Sequence, residues 1–347
     1  MVPATEADVA AVRAAVDRQA RRVTPGIDDL EAYRSRQVLD PTHREATGPL
    51  HPASGASGLV VHRGQVLARW GRTTSVEMCF GLTTALLSAV AGLAVERQVL
   101  RDVREPVSRT VAHPAFAGPG SRDVTWEHLL RQTSGWDGEL WGKPSSADAQ
   151  GAPAPAGSPP GERWAYNDVR VNLLALALTL LWRRGLDDVA RTELMHPLGA
   201  SDTWSWHGLA GASMRVDGRE VPVVSGSARW GGGLWACADD LARLGRLYLD
   251  GGRWHGHRIL SPDWVEASWT PGPANPDYGY LWWLNDRGRV FPSAPRTGRA
   301  GRGDLGRHLL WVDPARDLVV VSHWGDGVDA LLWEVSAALP AVGPGAP

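Results

Sequence analysis

Only a few positions in this 347-residue chain pair a reactive group with a setting where it could work. Tyr166 and Asp168, in Tyr166-Asn167-Asp168 ahead of a long apolar run, are the pair best suited to proton transfer. A phenol with a pKa near ~10 is a usable proton donor and becomes a base only beside a cation. A structural reading stands beside this one: Tyr166 capping a neighbour, and Asp168 favoured at a helix start by the helix dipole. Arg302, in Gly301-Arg302-Gly303, could grip a ligand carboxylate through two parallel hydrogen bonds. With Arg296, Arg299 and Arg307 it could equally form a solvated rim. Thr83, Thr84 and Ser88 are hydroxyls on an apolar run, and Cys79 just precedes them. A lone near-core cysteine usually behaves as a small hydrophobe. Bases are scarce: of 36 basic residues a single one, Lys143, is lysine. Arginine is a poor replacement because its guanidinium stays protonated.

The elements that must hold these groups follow from periodicity. Thr5 to about Arg22 spaces its apolar residues as a surface helix. Leu59 to Gly71 reads as a hairpin turning at Arg63-Gly64. Gly81 to about Gln98 is apolar nearly all round and predicts a buried helix. Thr125 and His128 suit a helix start, with Gly135 its end. Asn167 to Arg184 and Leu186 to Leu198 predict two further helices, and Asp217-Gly218 turns a second hairpin. An amphipathic helix follows over 238–249, then a helix from Pro262 to Trp269. Strands are expected at Tyr278 to Leu284, His308 to Val312 and Leu318 to His323, with a last helix from about Val328. Helices gathered between strand-bearing ends imply an α/β sheet domain built from both termini around a helical insertion.

Composition narrows the partners. A formal charge of -2 and a pI near 6.6 argue against nucleic acid or an anionic membrane, and favour a small-molecule ligand or substrate. No window has membrane length, Met1 to Asp8 show no basic start followed by an apolar run, and two cysteines fit a reducing compartment, so a cytoplasmic location is expected. His255-Gly256-His257 is too short and turn-like to argue for a metal, and no cofactor is expected. Eighteen tryptophans exceed what packing needs, so some should line a concave site.

Taken in order, Met78 to Val95, Thr125 to Trp136, Tyr166 to Asn172, Pro197 to Ser201, Trp230 to Gly233 and Tyr278 to Asn285 carry a likeness over most of the chain, from about Leu59 to Trp324. It resembles the serine β-lactamase-like hydrolases, in the branch of class C β-lactamases, penicillin-binding proteins and 6-aminohexanoate-oligomer hydrolases. The resemblance implies the α/β β-lactamase-like fold: an antiparallel sheet flanked by helices, formed by 1–77 and 215–347. A mainly helical domain is inserted at 78–214, with a loop at 144–162 as candidate lid. In that family the buried helix opens with Ser-x-x-Lys, nucleophile and base. Here the same positions read Gly81-Leu82-Thr83-Thr84, and both groups are missing. Tyr166 falls on the tyrosine of the Tyr-x-Asn motif, Asp168 on its asparagine, and Gly301-Arg302-Gly303 on the third motif.

Three functions are then open. The chain binds a small, partly apolar ligand in the old cleft, or catalyses a reaction needing no acyl-enzyme, through Tyr166 and Asp168, with Thr84 a further candidate. Gly81, Trp136, Trp141, Trp230, Arg302 and Gly303 would contact the ligand, while Trp70, Trp182, Trp311 and Trp333 would fill the core. Alternatively it is an amide or ester hydrolase with its nucleophile moved to Thr83, Thr84 or Ser88, or a non-catalytic protein partner. Losing a serine nucleophile costs on the order of 10⁶ in kcat, which puts the first reading ahead. Oligomeric state is left open by the sequence.

Overall fold

The computed structural model describes residues 4–148 and 158–341. The chain begins with α1 (Glu6–Gln19), where Thr5 and Asp8 close a reciprocal capping box, and α2 (Leu30–Ser35), capped by Asp29. The first hairpin, Ser57–His62 with Gln65–Trp70, lies at one end of a six-stranded antiparallel sheet. Across the sheet the order is 283–284, 299–303, 308–313, 318–323, 57–62, 65–70, so strands from both ends of the chain meet between Ser57–His62 and Leu318–His323. His308–Asp313 and Leu318–His323 are buried along their whole length. Both faces are covered, which is why these strands read as near-continuous apolar runs.

One face packs on α1 and the last helix, with Val12, Val16, Trp311 and Leu331 in that layer. The other carries the larger core. There α3 (Thr83–Glu96) is buried from Thr83 to Ala94, and α4 (Trp126–Leu130) packs on α5 (Asp168–Trp182). Then α6 (Leu186–Ala190) runs on as a π-helical turn, Arg191–Met195. The amphipathic α7 (Ala238–Leu249) lies on the sheet, and α8 (Pro262–Ser268) and α9 (Val328–Ala338) complete the helices. A small sheet of Glu77–Met78, Gly233–Ala236 and Ser205–His207 ties the helical layer to the strand leading into α3.

Several boundaries depart from expectation. The α-helix begins at Thr83, two residues after Gly81, because Phe80–Leu82 forms a tighter 3-10 turn entered through Phe80 at φ +49°. The helix capped by Thr125 ends at Leu130, not Gly135, although the Thr125/His128 pair caps it as expected. The strand expected over Tyr278 to Leu284 shrinks to Trp283–Leu284, since Leu281 takes φ +64°. At 144–162, Lys143–Pro144 is a short strand and Ser145–Asp148 a 3-10 turn, while 149–157 lie outside the described residues. Among the described residues no helix is long and apolar enough to cross a membrane.

Candidate functional site

Gly81 sits where the 3-10 turn before α3 meets the strand Arg299–Gly303. A Cβ there would lie 2.9 Å from the Arg302 carbonyl oxygen, 3.1 Å from the Tyr166 hydroxyl and 3.7 Å from Gly303 Cα. The fold thus brings together three segments far apart in sequence. Gly303 is required for the approach, because a Cβ on it would meet the Cys79 carbonyl at 2.3 Å and the Leu82 nitrogen at 3.0 Å. Beside this junction opens a cavity of about 620 Å³. Phe80, Gly81, Tyr166, Asp168 and Arg302 all face it.

Tyr166 immediately precedes the α5 cap, Asn167, whose side chain accepts from the Val169 and Arg170 nitrogens. That cap fixes the direction in which Tyr166 leaves the helix. Its hydroxyl is buried without a hydrogen-bond partner among the described residues. Burial, and then the charge of Asp168, hold its pKa well above the ordinary phenol value. It is therefore a neutral hydroxyl, able to donate to a ligand.

Asp168 occupies the first turn of α5, as a carboxylate at a helix N-terminus should. Its backbone nitrogen donates to Asp148 Oδ2. Arg229 stands against both carboxylates: its Nε is in ion-pair contact with Asp148 and 3.4 Å from Asp168 Oδ2. Neither contact is aligned as a hydrogen bond. Burial opposes the Arg229 charge, but Asp168 and Asp148 outweigh it and raise its pKa. Asp148 goes the other way, its carboxyl pushed well above the usual range by burial and then by Asp168. With Asp168 beside it and burial around it, the neutral form of Asp148 is favoured although Arg229 and then Arg170 oppose this. Asp148 and Arg229 gave no signal in the sequence, because nothing in their local spacing points at residue 168.

Arg302 extends along the cavity wall between the Trp283 and Phe291 rings, 5.3 and 5.5 Å from their centroids, and donates to the Leu305 carbonyl at 3.3 Å. Its neighbours Arg299, Arg307 and Arg316 each pair with an aspartate. Arg302 has no carboxylate partner among the described residues, and burial lowers its pKa.

The remaining candidates lie elsewhere. Thr84 Oγ1 donates to the Leu281 carbonyl at 3.0 Å, Thr83 Oγ1 accepts from the Leu234 nitrogen at 3.1 Å, and Ser88 Oγ accepts from Tyr248 at 3.3 Å. All three are buried and none lines the cavity. Trp136, Trp141 and Trp230 also stay off the wall. Trp136 offers its carbonyl to Arg170, Trp141 packs on the core edge, and Trp230 donates to the His43 carbonyl beneath the Lys143 ammonium. Size explains this, since large aromatic rings fill the helical layer before they can line an opening. The aromatic wall comes instead from Tyr33, Phe80, Tyr166 and Trp283. Of the expected core tryptophans, Trp70 and Trp311 are buried, Trp182 is half-buried, and Trp333 is 58% exposed on the outer face of α9. Cys79 is fully buried and burial pushes its thiol up, so it is not a nucleophile. Lys143, in a short strand pair, is held by the His43 and Glu45 carbonyls, both at 3.2 Å.

The sequence model of the Beta-lactamase family matches residues 45–324. A 6-aminohexanoate-dimer hydrolase of Paenarthrobacter ureafaciens is 35% identical over 182 residues, 44% of this chain and 42% of that enzyme, so the match spans under half the length of that curated relative. A beta-lactamase from Mycobacterium bovis superposes with a TM-score of 0.57 at 22% identity, covering 82% of this chain and 93% of the other. A penicillin-binding protein homologue from Caulobacter crescentus gives 0.60 at 18% identity, covering 91% and 99%. These two share the fold.

Proposed function

We propose that this chain, which belongs to the Beta-lactamase family, holds a small, partly apolar ligand in the cavity beside Gly81 without forming an acyl-enzyme. The observation that carries this reading is the junction itself. The Tyr166 hydroxyl and the Arg302 carbonyl converge on residue 81, where serine and its lysine base would be needed for acyl transfer and where the chain has Gly81 and Thr84. A site without nucleophile or base keeps binding groups but loses the covalent step. The unpartnered Tyr166 hydroxyl and the Arg302 guanidinium supply directional contacts, and Phe80 and Trp283 supply apolar surface.

A second reading, non-covalent catalysis, is favoured by one observation. Tyr166 and Asp168 place a neutral hydroxyl and a carboxyl group at the same wall. Proton transfer to a bound substrate could use either. Relocation of the nucleophile is disfavoured because Thr83, Thr84 and Ser88 spend their hydroxyls on core hydrogen bonds. The buried free thiols of Cys79 and Cys237 suit a reducing cytoplasm, where we place the protein.

Intact-mass spectrometry after incubation with a fluorophosphonate and a penicillin tests the reading. No adduct is expected. A stoichiometric adduct on Thr83, Thr84 or Ser88 would replace it with the hydrolase reading.

A further inference from the structure

The cavity is not enclosed by the family-matched residues alone. Thr24, Pro25, Tyr33, Arg36, Gln37 and Leu39 line one side of it, and all precede residue 45, where the family match begins. This segment is fastened to the cavity walls by side chains from both sides. The Tyr33 hydroxyl and Gln37 Nε2 both donate to Asp304, Gln37 at 2.7 Å, next to the strand that carries Arg302. Arg34 donates to the Arg229 carbonyl at 2.9 Å, and Arg229 donates back to the Gln37 carbonyl. Residues 24–39 are thus a fixed wall.

The charges along that wall are unequal. Four guanidinium groups and two carboxylates face the cavity. Arg307 is offset by Asp304 and Asp326, and Arg229 by Asp148 and Asp168. Arg36 and Arg302 remain. Arg36 donates from Nε to the Ala32 carbonyl at 3.1 Å and lies 5.9 Å from the Tyr33 ring centroid, with no carboxylate partner among the described residues. At the mouth, Leu39 and Leu305 are 62% and 73% exposed, apolar surface that gains by being covered.

We propose that the cavity selects a small organic anion, a carboxylate on an apolar body, and that segment 24–39 sets this selectivity through Arg36, acting with Arg302. The proposal rests on the non-covalent binding reading above. Two uncompensated guanidiniums in one cavity favour an anion over its neutral isostere: Arg302, partly desolvated, is screened less than a surface charge, and Arg36 adds a second positive charge at the exposed rim. The apolar body would lie against Phe80, Trp283 and Leu39.

Calorimetry on the full chain with two matched sets tests it: hexanoate, hexanamide and hexylamine, and phenylacetate, phenylacetamide and phenethylamine. The carboxylate should bind about 10-fold tighter than its amide, and the amine most weakly. Arg36→Gln and Arg302→Gln should each reduce the carboxylate-to-amide ratio about 3-fold or more while amide affinity stays within about 2-fold. A residue that merely shaped the wall would weaken carboxylate and amide alike. Equal binding of carboxylate and amide, or preference for the amine, overturns the anion proposal while leaving the binding reading intact. A ratio unchanged in Arg36→Gln overturns the role of the segment. Failure of all six compounds to bind counts against the binding reading itself and removes the proposal with it.

Discussion

The Tyr166 hydroxyl stands 3.1 Å from the point a Cβ on Gly81 would occupy, and the Arg302 carbonyl closes the same point to 2.9 Å from the other side. The glycine is thus part of the packing. Gly81→Ser must push the strand Arg299–Gly303 outward by a few tenths of an ångström. Overpacking costs ~1–3 kcal/mol, and loss of glycine entropy in the unfolded chain returns ~0.4–1. The variant should be destabilised by about 1 kcal/mol in urea melts and should not hydrolyse p-nitrophenyl esters, since it has no base. Adding Thr84→Lys breaks the bond to the Leu281 carbonyl and places an ammonium at a buried position, so a trace of activity at most is expected. Strong hydrolysis by Gly81→Ser alone would make Tyr166 the base and sink the non-acylating reading.

Tyr166→Phe separates binding from stability. The hydroxyl it removes is buried and unpartnered, so the free protein should lose nothing and its melting temperature should hold or rise slightly. A ligand that uses the hydroxyl should bind about 5-fold more weakly, the value of about 1 kcal/mol for one neutral hydrogen bond. Destabilisation of the free protein by more than ~1 kcal/mol would mean that the hydroxyl already has a structural task.

How far the site was legible in the sequence follows from which contacts are local. Thr125 and His128 cap their helix and Asp217-Gly218 turns its hairpin, as their local residue types predict, and Gly81, Tyr166 and the Arg302 backbone meet at one junction. Arg36, Asp148, Arg229 and Asp304 escaped notice because their meaning is wholly tertiary. Arg36 acquires a role only when residues 24–39 fold over the cavity, and Asp148 only when it receives the Asp168 nitrogen. Tryptophan content misled in the opposite direction. Composition counts rings but does not say which face of a helix they bury, and of eighteen only Trp283 lines the cavity.

The Asp148, Asp168 and Arg229 cluster should dominate stability in the helical layer. Arg229→Leu removes the guanidinium in contact with both buried carboxyl groups, leaving only the more distant Arg170, and should cost ~3–5 kcal/mol. Asp148→Asn should rescue much of that loss in the double variant, because only one carboxylate then remains. The pH dependence has a fixed sign. A carboxyl whose folded pKa is raised contributes stability fully below its unfolded pKa, near ~3.9, and loses it as pH rises through the folded value. Asp148→Asn should therefore gain on the wild type as pH rises above ~4, measured by urea melts. A difference independent of pH would mean that Asp148 is ionised in the fold.

A second buried pair predicts the opposite trend. His308 and His323 lie on adjacent strands with Nδ1 atoms 3.0 Å apart, so one donates and the other accepts, which excludes a doubly protonated pair. Burial lowers both pKa values, His323 to about 3 and His308 well below the ordinary value, where His323 and Arg307 add to the effect. The rings facing them are Phe80 and Trp324, whose indole donates to Glu77 at 2.7 Å. Histidines with depressed folded pKa values take up protons on unfolding, so stability should begin to fall as pH drops below ~6.5 and keep falling toward ~3. Each contributes a slope of up to about 1.4 kcal/mol per pH unit. Glu77, its carboxyl raised by burial, works in the reverse sense but binds only one proton against two. Urea melts should show a loss as pH falls below ~6.5, to which His62, His113, His128 and His207, also lowered by burial, contribute, and His308→Phe with His323→Leu should make that loss shallower. A double variant that keeps the wild-type slope would mean that the fold does not hold the two imidazoles neutral.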